Sequence, residues 1–167
     1  MLAPRKKLHS TPLGVIQQAF ALAQVNSSDV VCDVGCGDGR VLLYAASTLH
    51  VARCVGMEID PDRVRQIEAE AKRLRVDGIV TIRCGNALEM EVDDDVTVIF
   101  LFLIERGLRH VFRQLLESTS PVRHKELRIL THFCHMDDDA GGTRADAAFP
   151  IYFYKLPPLV PSSSKFT

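Results

Sequence analysis

Three glycines at alternate positions, Gly35, Gly37 and Gly39, follow directly on the apolar run Val30-Val31-Cys32-Asp33-Val34 and lead at once into a helical stretch that opens at Arg40. A strand, a glycine turn and a helix in immediate succession make the first half of a βαβ unit, which commits the sheet to parallel neighbours. Gly35 permits the sharp turn, Gly37 lets a ligand approach bare backbone, and Gly39 lets the helix start close to the strand.

Turn and apolar signals alternate along the rest of the chain. Thr11 to Val25 has apolar residues at helical spacing, with Pro12 at a first-turn position. The pattern predicts strands over Asp29 to Gly35, Arg53 to Asp60, Val80 to Cys84, Val96 to Leu103 and Leu127 to Cys134. Between them it predicts helices from Arg40 to Leu49, from the Asp60-Pro61 cap to Val76, and from Glu105 to Ser118. Phe149 to Leu156 is β-rich and too close to the fifth strand for a crossover helix, so it is expected to pair antiparallel as part of a terminal hairpin. Asp137 to Asp146 is expected as a polar loop, and the acid runs Asp93 to Asp95 and Asp137 to Asp139 as solvated turns.

At 167 residues, and at about 150 per domain, the chain makes one α/β domain. Its expected limits are 11–156, with a basic tail over 1–10 and a Pro- and Ser-rich tail over 157–167. Apolar residues are 47% and charged residues 25%, the balance of a globular chain. Twenty Lys plus Arg against 21 Asp plus Glu leave no global basic field for a polyanion, so stable nucleic-acid binding is not expected. No apolar run reaches bilayer length. Five cysteines, three of them in apolar runs, fit a reducing intracellular compartment better than a disulfide framework. The expected location is cytoplasmic. Arg5, Lys6 and Lys7 leave a mitochondrial presequence open beside a plain basic tail. The pattern sets no oligomeric state.

Two acids narrow the ligand. A pyrophosphate on a helix N-terminus favours an uncharged turn, whereas Asp33 stands two residues before the first glycine and suits a ligand with a cationic head. S-adenosylmethionine carries both an ammonium and a sulfonium. Glu58, at the end of the second strand, lies about 20 residues beyond the turn, the distance for a carboxylate gripping ribose hydroxyls. Asn86, in Cys84-Gly85-Asn86-Ala87 after the third strand, places an amide where an adenine edge can be read. Capping or surface carboxylates are the bland alternative for both acids. Their position at consecutive strand ends, where ligands of open α/β sheets bind, favours the site.

From Thr11 to Leu156 these motifs resemble the class I S-adenosylmethionine-dependent methyltransferases, whose fold is a Rossmann-like three-layer domain, mainly parallel with an antiparallel C-terminal strand. Asn86 stands where that family more often has Asp. More narrowly, His9-Ser10-Thr11-Pro12, the segment Asp33 to Arg40 and the final strand Ile151 to Leu156 resemble one group. It comprises the compact lysine methyltransferases of the ATP synthase c subunit and the adenine nucleotide translocase, with their short prokaryotic relatives. In that group a Thr-Pro segment helps close the cofactor site and an aromatic ends the fourth strand. Phe100-Leu101-Phe102-Leu103 occupies that position here, with Phe for the usual Tyr and no following proline. The resemblance implies a cofactor site from Thr11; Asp33, Gly35, Cys36, Gly37 and Gly39; Glu58 and Ile59; Asn86 and Ala87; and Phe100 and Leu101.

The acceptor side is read from the same strand end. No Asn- or Asp-Pro-Pro-Tyr follows the fourth strand, which argues against methylation of a base amine. An apolar, aromatic wall suits a lysine of a protein substrate, with Phe100 lining its channel. A small-molecule methyltransferase and a non-catalytic S-adenosylmethionine-binding module are the other readings. No catalytic base stands out. His132-Phe133-Cys134-His135 is not expected to bind metal, because strand alternation sends His132 and His135 to opposite faces.

Overall fold

The computed structural model describes residues 10–89, 91–103, 107, 109–111, 113, 125–132, 143–144 and 150–158. The elements are α1 (Leu13–Leu22), β1 (Val30–Val34), α2 (Arg40–Ser47), β2 (Arg53–Glu58), α3 (Pro61–Arg73), β3 (Val80–Cys84), a 3-10 turn (Ala87–Glu89), β4 (Val98–Leu101), β5 (Leu127–His132), β6 (Thr143–Arg144) and β7 (Ile151–Leu156). Residues 107, 109–111 and 113 are helical and belong to the helix predicted after β4.

One sheet of seven strands runs β3-β2-β1-β4-β5-β7-β6. The first five strands are parallel, and β7 pairs antiparallel with β5 from Leu127 opposite Leu156 to His132 opposite Ile151. This is the expected Rossmann-like architecture. β1 and β4 are buried along their whole length, as strands covered on both faces must be. Val31, Val98, Phe100 and Leu130 face α1, α2 and Ile67 of α3. Cys32, Val34, Ile99, Leu101 and Ile129 face the other way, with Met57 and Val111.

Each of the three helices ends earlier than its periodicity predicts, at Leu22, Ser47 and Arg73 instead of Val25, Leu49 and Val76. The cause is common to all. Gln24, His50 and Arg75 take left-handed φ of 52°, 53° and 57°. The next amide then turns back onto the helix: Val25 N donates to Phe20 O, Val51 N to Ala45 O and Val76 N to Ala71 O. Such ends usually carry glycine, and none is present to signal them.

Two loop expectations are corrected. Thr143 and Arg144, within the predicted polar loop, form the short edge strand β6 opposite Phe153 and Tyr152. Two residues are too few to show alternation. The acids after the 3-10 turn are not simply solvated. Asp93 takes both Arg53 and Arg83, and Asp95 pairs with Arg53, which ties the β3–β4 connection to β2 and β3. Asp137 to Asp139, Cys134, His135, the terminal tails over 1–9 and 159–167, and most of the predicted fourth helix lie outside the described residues.

At the opposite end, buried Asp29 fixes the amino ends of three strands. It accepts from Thr97 Oγ1 at 2.8 Å and pairs with Arg128, which also donates to Ala23 O at 2.7 Å. The α1–β1 turn is thereby bound to β5, and α1 packs against β7.

Candidate cofactor and acceptor site

The glycine turn folds back on the end of β2: Gly35 N and Cys36 N both donate to Met57 O at 2.9 Å. Gly35, Gly37 and Gly39 have φ of 78°, 59° and 73°, a region L side chains rarely adopt. Gly39 does more than admit a close helix start. A Cβ there would stand 2.7 Å from Ile67, so its bareness lets the turn seat against α3.

Glu58 is buried and held at both oxygens. Oε2 accepts from Gly37 N at 2.8 Å and Oε1 from Asp60 N at 3.0 Å, with the Arg63 guanidinium 3.6 Å from Oε1. Gly37 N–H is therefore already engaged by a carboxylate, not left bare as the turn alone suggested. Each carboxylate oxygen offers about two acceptor directions, so Glu58 can still take ribose hydroxyls. Ile59, immediately after it, is 67% exposed, an apolar surface beside a buried acid. Gly85 N donates to Glu58 O at 2.9 Å, bringing the end of β3 alongside. There Asn86 donates to Glu89 Oε1 at 2.7 Å and Ala87 opens the 3-10 turn.

Asp33 is buried on β1, with Gly56 opposite it on β2 and Phe100 on β4. Burial, then the Asp38 and Glu58 carboxylates, push its pKa up to about 8. A carboxyl so placed favours a cationic ligand, because a nearby positive charge restores its ionised form.

Asp38, between Gly37 and Gly39 in the turn, holds the segment before α1. Its carboxylate accepts from Ser10 Oγ at 2.8 Å and from the Arg40 fork, and Arg40 Nη1 also donates to Thr11 O at 3.3 Å. Burial opposes its ionisation, but the Arg40 and Ser10 hydrogen bonds and the Arg40 charge hold the carboxyl below its usual range. Thr11 is buried beside this network. The Ser10–Asp38 pair spans 28 residues, and no local pattern announces it.

Three expected lining residues are placed differently from the sequence reading. Phe100 is 1% exposed and packs edge-on against Phe20 at 6.2 Å, so it is core and not a channel wall. Leu101 points to the opposite face of the sheet, as alternation requires. Cys36 packs against Gly56 in the core, and burial, followed by the Asp33 and Glu58 charges, pushes its thiol far up. The half-buried aromatic at the carboxyl end of β4 is Phe102, whose ring lies 4.8 Å from that of buried His132. Burial lowers the His132 pKa, which keeps the imidazole neutral.

A buried acid that calls for a cation, a fixed carboxylate with acceptor directions to spare, an exposed Ile59 and a glycine cradle fit S-adenosylmethionine. Comparison with known proteins agrees. The family model for the ANTKMT methyltransferase domain matches residues 33–137. A protein-lysine N-methyltransferase of Saccharolobus islandicus (strain REY15A) is 32% identical over 126 residues, 73% of this chain and 73% of its own. The crystal structure of an RNA methyltransferase from Salinibacter ruber in complex with S-adenosyl-L-homocysteine is 30% identical with a TM-score of 0.80, covering 95% of this chain and 100% of that one. An S-adenosylmethionine-dependent methyltransferase from Thiobacillus denitrificans, 21% identical with a TM-score of 0.61 over 74% of this chain and 48% of that one, shares the fold.

Proposed function

We propose, since the chain belongs to the ANTKMT methyltransferase domain family and is an S-adenosylmethionine-dependent methyltransferase, that its acceptor is a lysine of a protein. The observation that carries this reading is the end of β4. Half-buried Phe102 and Leu103 follow buried Phe100 and Leu101, and no amide-Pro-Pro-aromatic sequence is there to orient a base. The Saccharolobus relative, a protein-lysine N-methyltransferase, supports it.

S-adenosylmethionine, when bound, supplies an activated methyl group on a sulfonium. The chain supplies placement. Glu58 takes the ribose, Asp33 answers the cationic amino-acid part, and Ile59 with Asn86 and Ala87 borders the base. At the acceptor end, an aromatic wall removes water from the incoming ammonium. Desolvation lowers an amine's pKa and favours the neutral, nucleophilic form. No helix among the described residues is long and apolar enough to cross a membrane. The described cysteines are free, three buried and Cys84 exposed.

The test is incubation of the protein with deuterated S-adenosylmethionine and a cell lysate, read by mass spectrometry. The expected result is labelled lysine in protein. A second reading has its own support, because the Salinibacter neighbour is an RNA methyltransferase. Label confined to RNA would establish that reading and remove the lysine one.

A further inference from the structure

The buried polar side chains among the described residues fall into groups. Asp29 and Thr97 clamp the amino end of the sheet, while Asp33, Glu58 and Thr11 belong to the cofactor end. Two remain, Thr131 and His132, consecutive at the carboxyl end of β5. Burying an imidazole costs desolvation, so a histidine there calls for a reason.

The register supplies one. Asp33 stands opposite Phe100 and Phe100 opposite Leu130, so strand alternation sends Glu58, Asp33, Phe102 and His132 to the same face. Glu58, Asp33 and His132 come from β2, β1 and β5 and Phe102 directly follows β4, so the row crosses four neighbouring strands in the order β2, β1, β4, β5. At about 4.8 Å per strand, His132 lies two strands, roughly 10 Å, sideways from Asp33. The cofactor groups occupy one half of this row. Phe102 and His132 occupy the other half. Their rings meet at 4.8 Å with planes tilted by 44°. His132 is 1% exposed and Phe102 half-buried, so of the two residues Phe102 is the one that reaches the surface and His132 the one enclosed.

We propose that His132 is a positioning residue for methyl transfer, fixing the ring of Phe102 as the wall that an acceptor amine meets. This rests on the lysine reading above for the identity of the acceptor, but not for the ring geometry. A neutral imidazole suits the place. A cation behind the wall would repel an incoming ammonium, and an aliphatic side chain would leave the phenyl ring free to turn.

Two measurements test it. The chain has no tryptophan, so Phe102→Trp sets a single indole at the wall, and its near-ultraviolet circular dichroism reports whether that ring is held. Adding His132→Leu should abolish most of the indole band with the far-ultraviolet spectrum unchanged, and His132→Phe should preserve it. In the otherwise wild-type protein, transfer of a tritiated methyl group to poly-L-lysine and to total RNA is then followed. His132→Leu should lower kcat/KM for the labelled acceptor roughly ten- to a hundredfold, with affinity for S-adenosylhomocysteine kept within about twofold. His132→Phe should restore most of the turnover. Label on RNA alone in the wild-type protein would overturn the lysine reading, and the variants are then compared on RNA. An indole band untouched by His132→Leu would overturn the positioning role, as would a parallel fall in cofactor affinity and turnover. If neither probe is labelled, the indole band decides.

Discussion

Everything that acts on Asp33 pushes the same way. Burial, then the Asp38 and Glu58 carboxylates, take its pKa up to about 8 from an ordinary 3.8. Between those values the folded protein binds more protons than the unfolded chain, so Asp33 makes the cofactor-free protein less stable as pH rises from about 4 to 8. A cation beside it favours the carboxylate. Binding therefore releases a proton below pH 8, and affinity rises with pH until it levels off there. Calorimetry of S-adenosylhomocysteine, which keeps the amino-acid ammonium, should show this as a buffer-dependent heat, and Asp33→Asn should abolish it. Glu58 makes a second prediction at this scale. A hydrogen bond to a charged group contributes roughly 1.5–3 kcal/mol, so Glu58→Ala should weaken cofactor binding by about ten- to a hundredfold. Because Gly37 N–H also loses its acceptor, the glycine turn should become more mobile, readable as faster amide exchange at that residue.

Strands and helices were legible as elements because their periods are local. β4 is an unbroken apolar run, β1 is apolar but for Asp33, and α3 has Asp60 as its N-cap, Pro61 behind it and buried Val64, Ile67 and Ala71 on one face. Helix ends were less legible. Gln24, His50 and Arg75 spend left-handed conformations without glycine, each at a cost of about 1 kcal/mol. Arg75→Gly at the end of α3 should therefore raise stability by up to about 1 kcal/mol, the lost strain offset in part by a freer unfolded chain. Urea unfolding that shows no gain would mean that the Arg75 side chain contributes to the native state as much as its backbone costs.

On the scale of the whole molecule, the two ends of the sheet divide the work. The carboxyl end gathers Glu58, Asp33, Phe102 and His132, and the amino end holds the strands in register through Asp29, Thr97 and Arg128. Removing one member of a buried ion pair leaves the other uncompensated, so Arg128→Met should cost roughly 3 kcal/mol. The loss should appear as a lower denaturation midpoint, while S-adenosylhomocysteine affinity at the far end stays nearly constant. The local sequence by itself determined the βαβ order, the left-handed glycine turn and the acids Asp33 and Glu58 at their strand ends, since each depends on residues a few positions apart. Only the tertiary structure decided that Phe100 is core while Phe102 is half-buried, that Ser10 and Thr11 are tied to Asp38 and Arg40, and that the rings of His132 and Phe102 meet. Those facts depend on which strands become neighbours and where each one stops, and no window along the chain contains both partners.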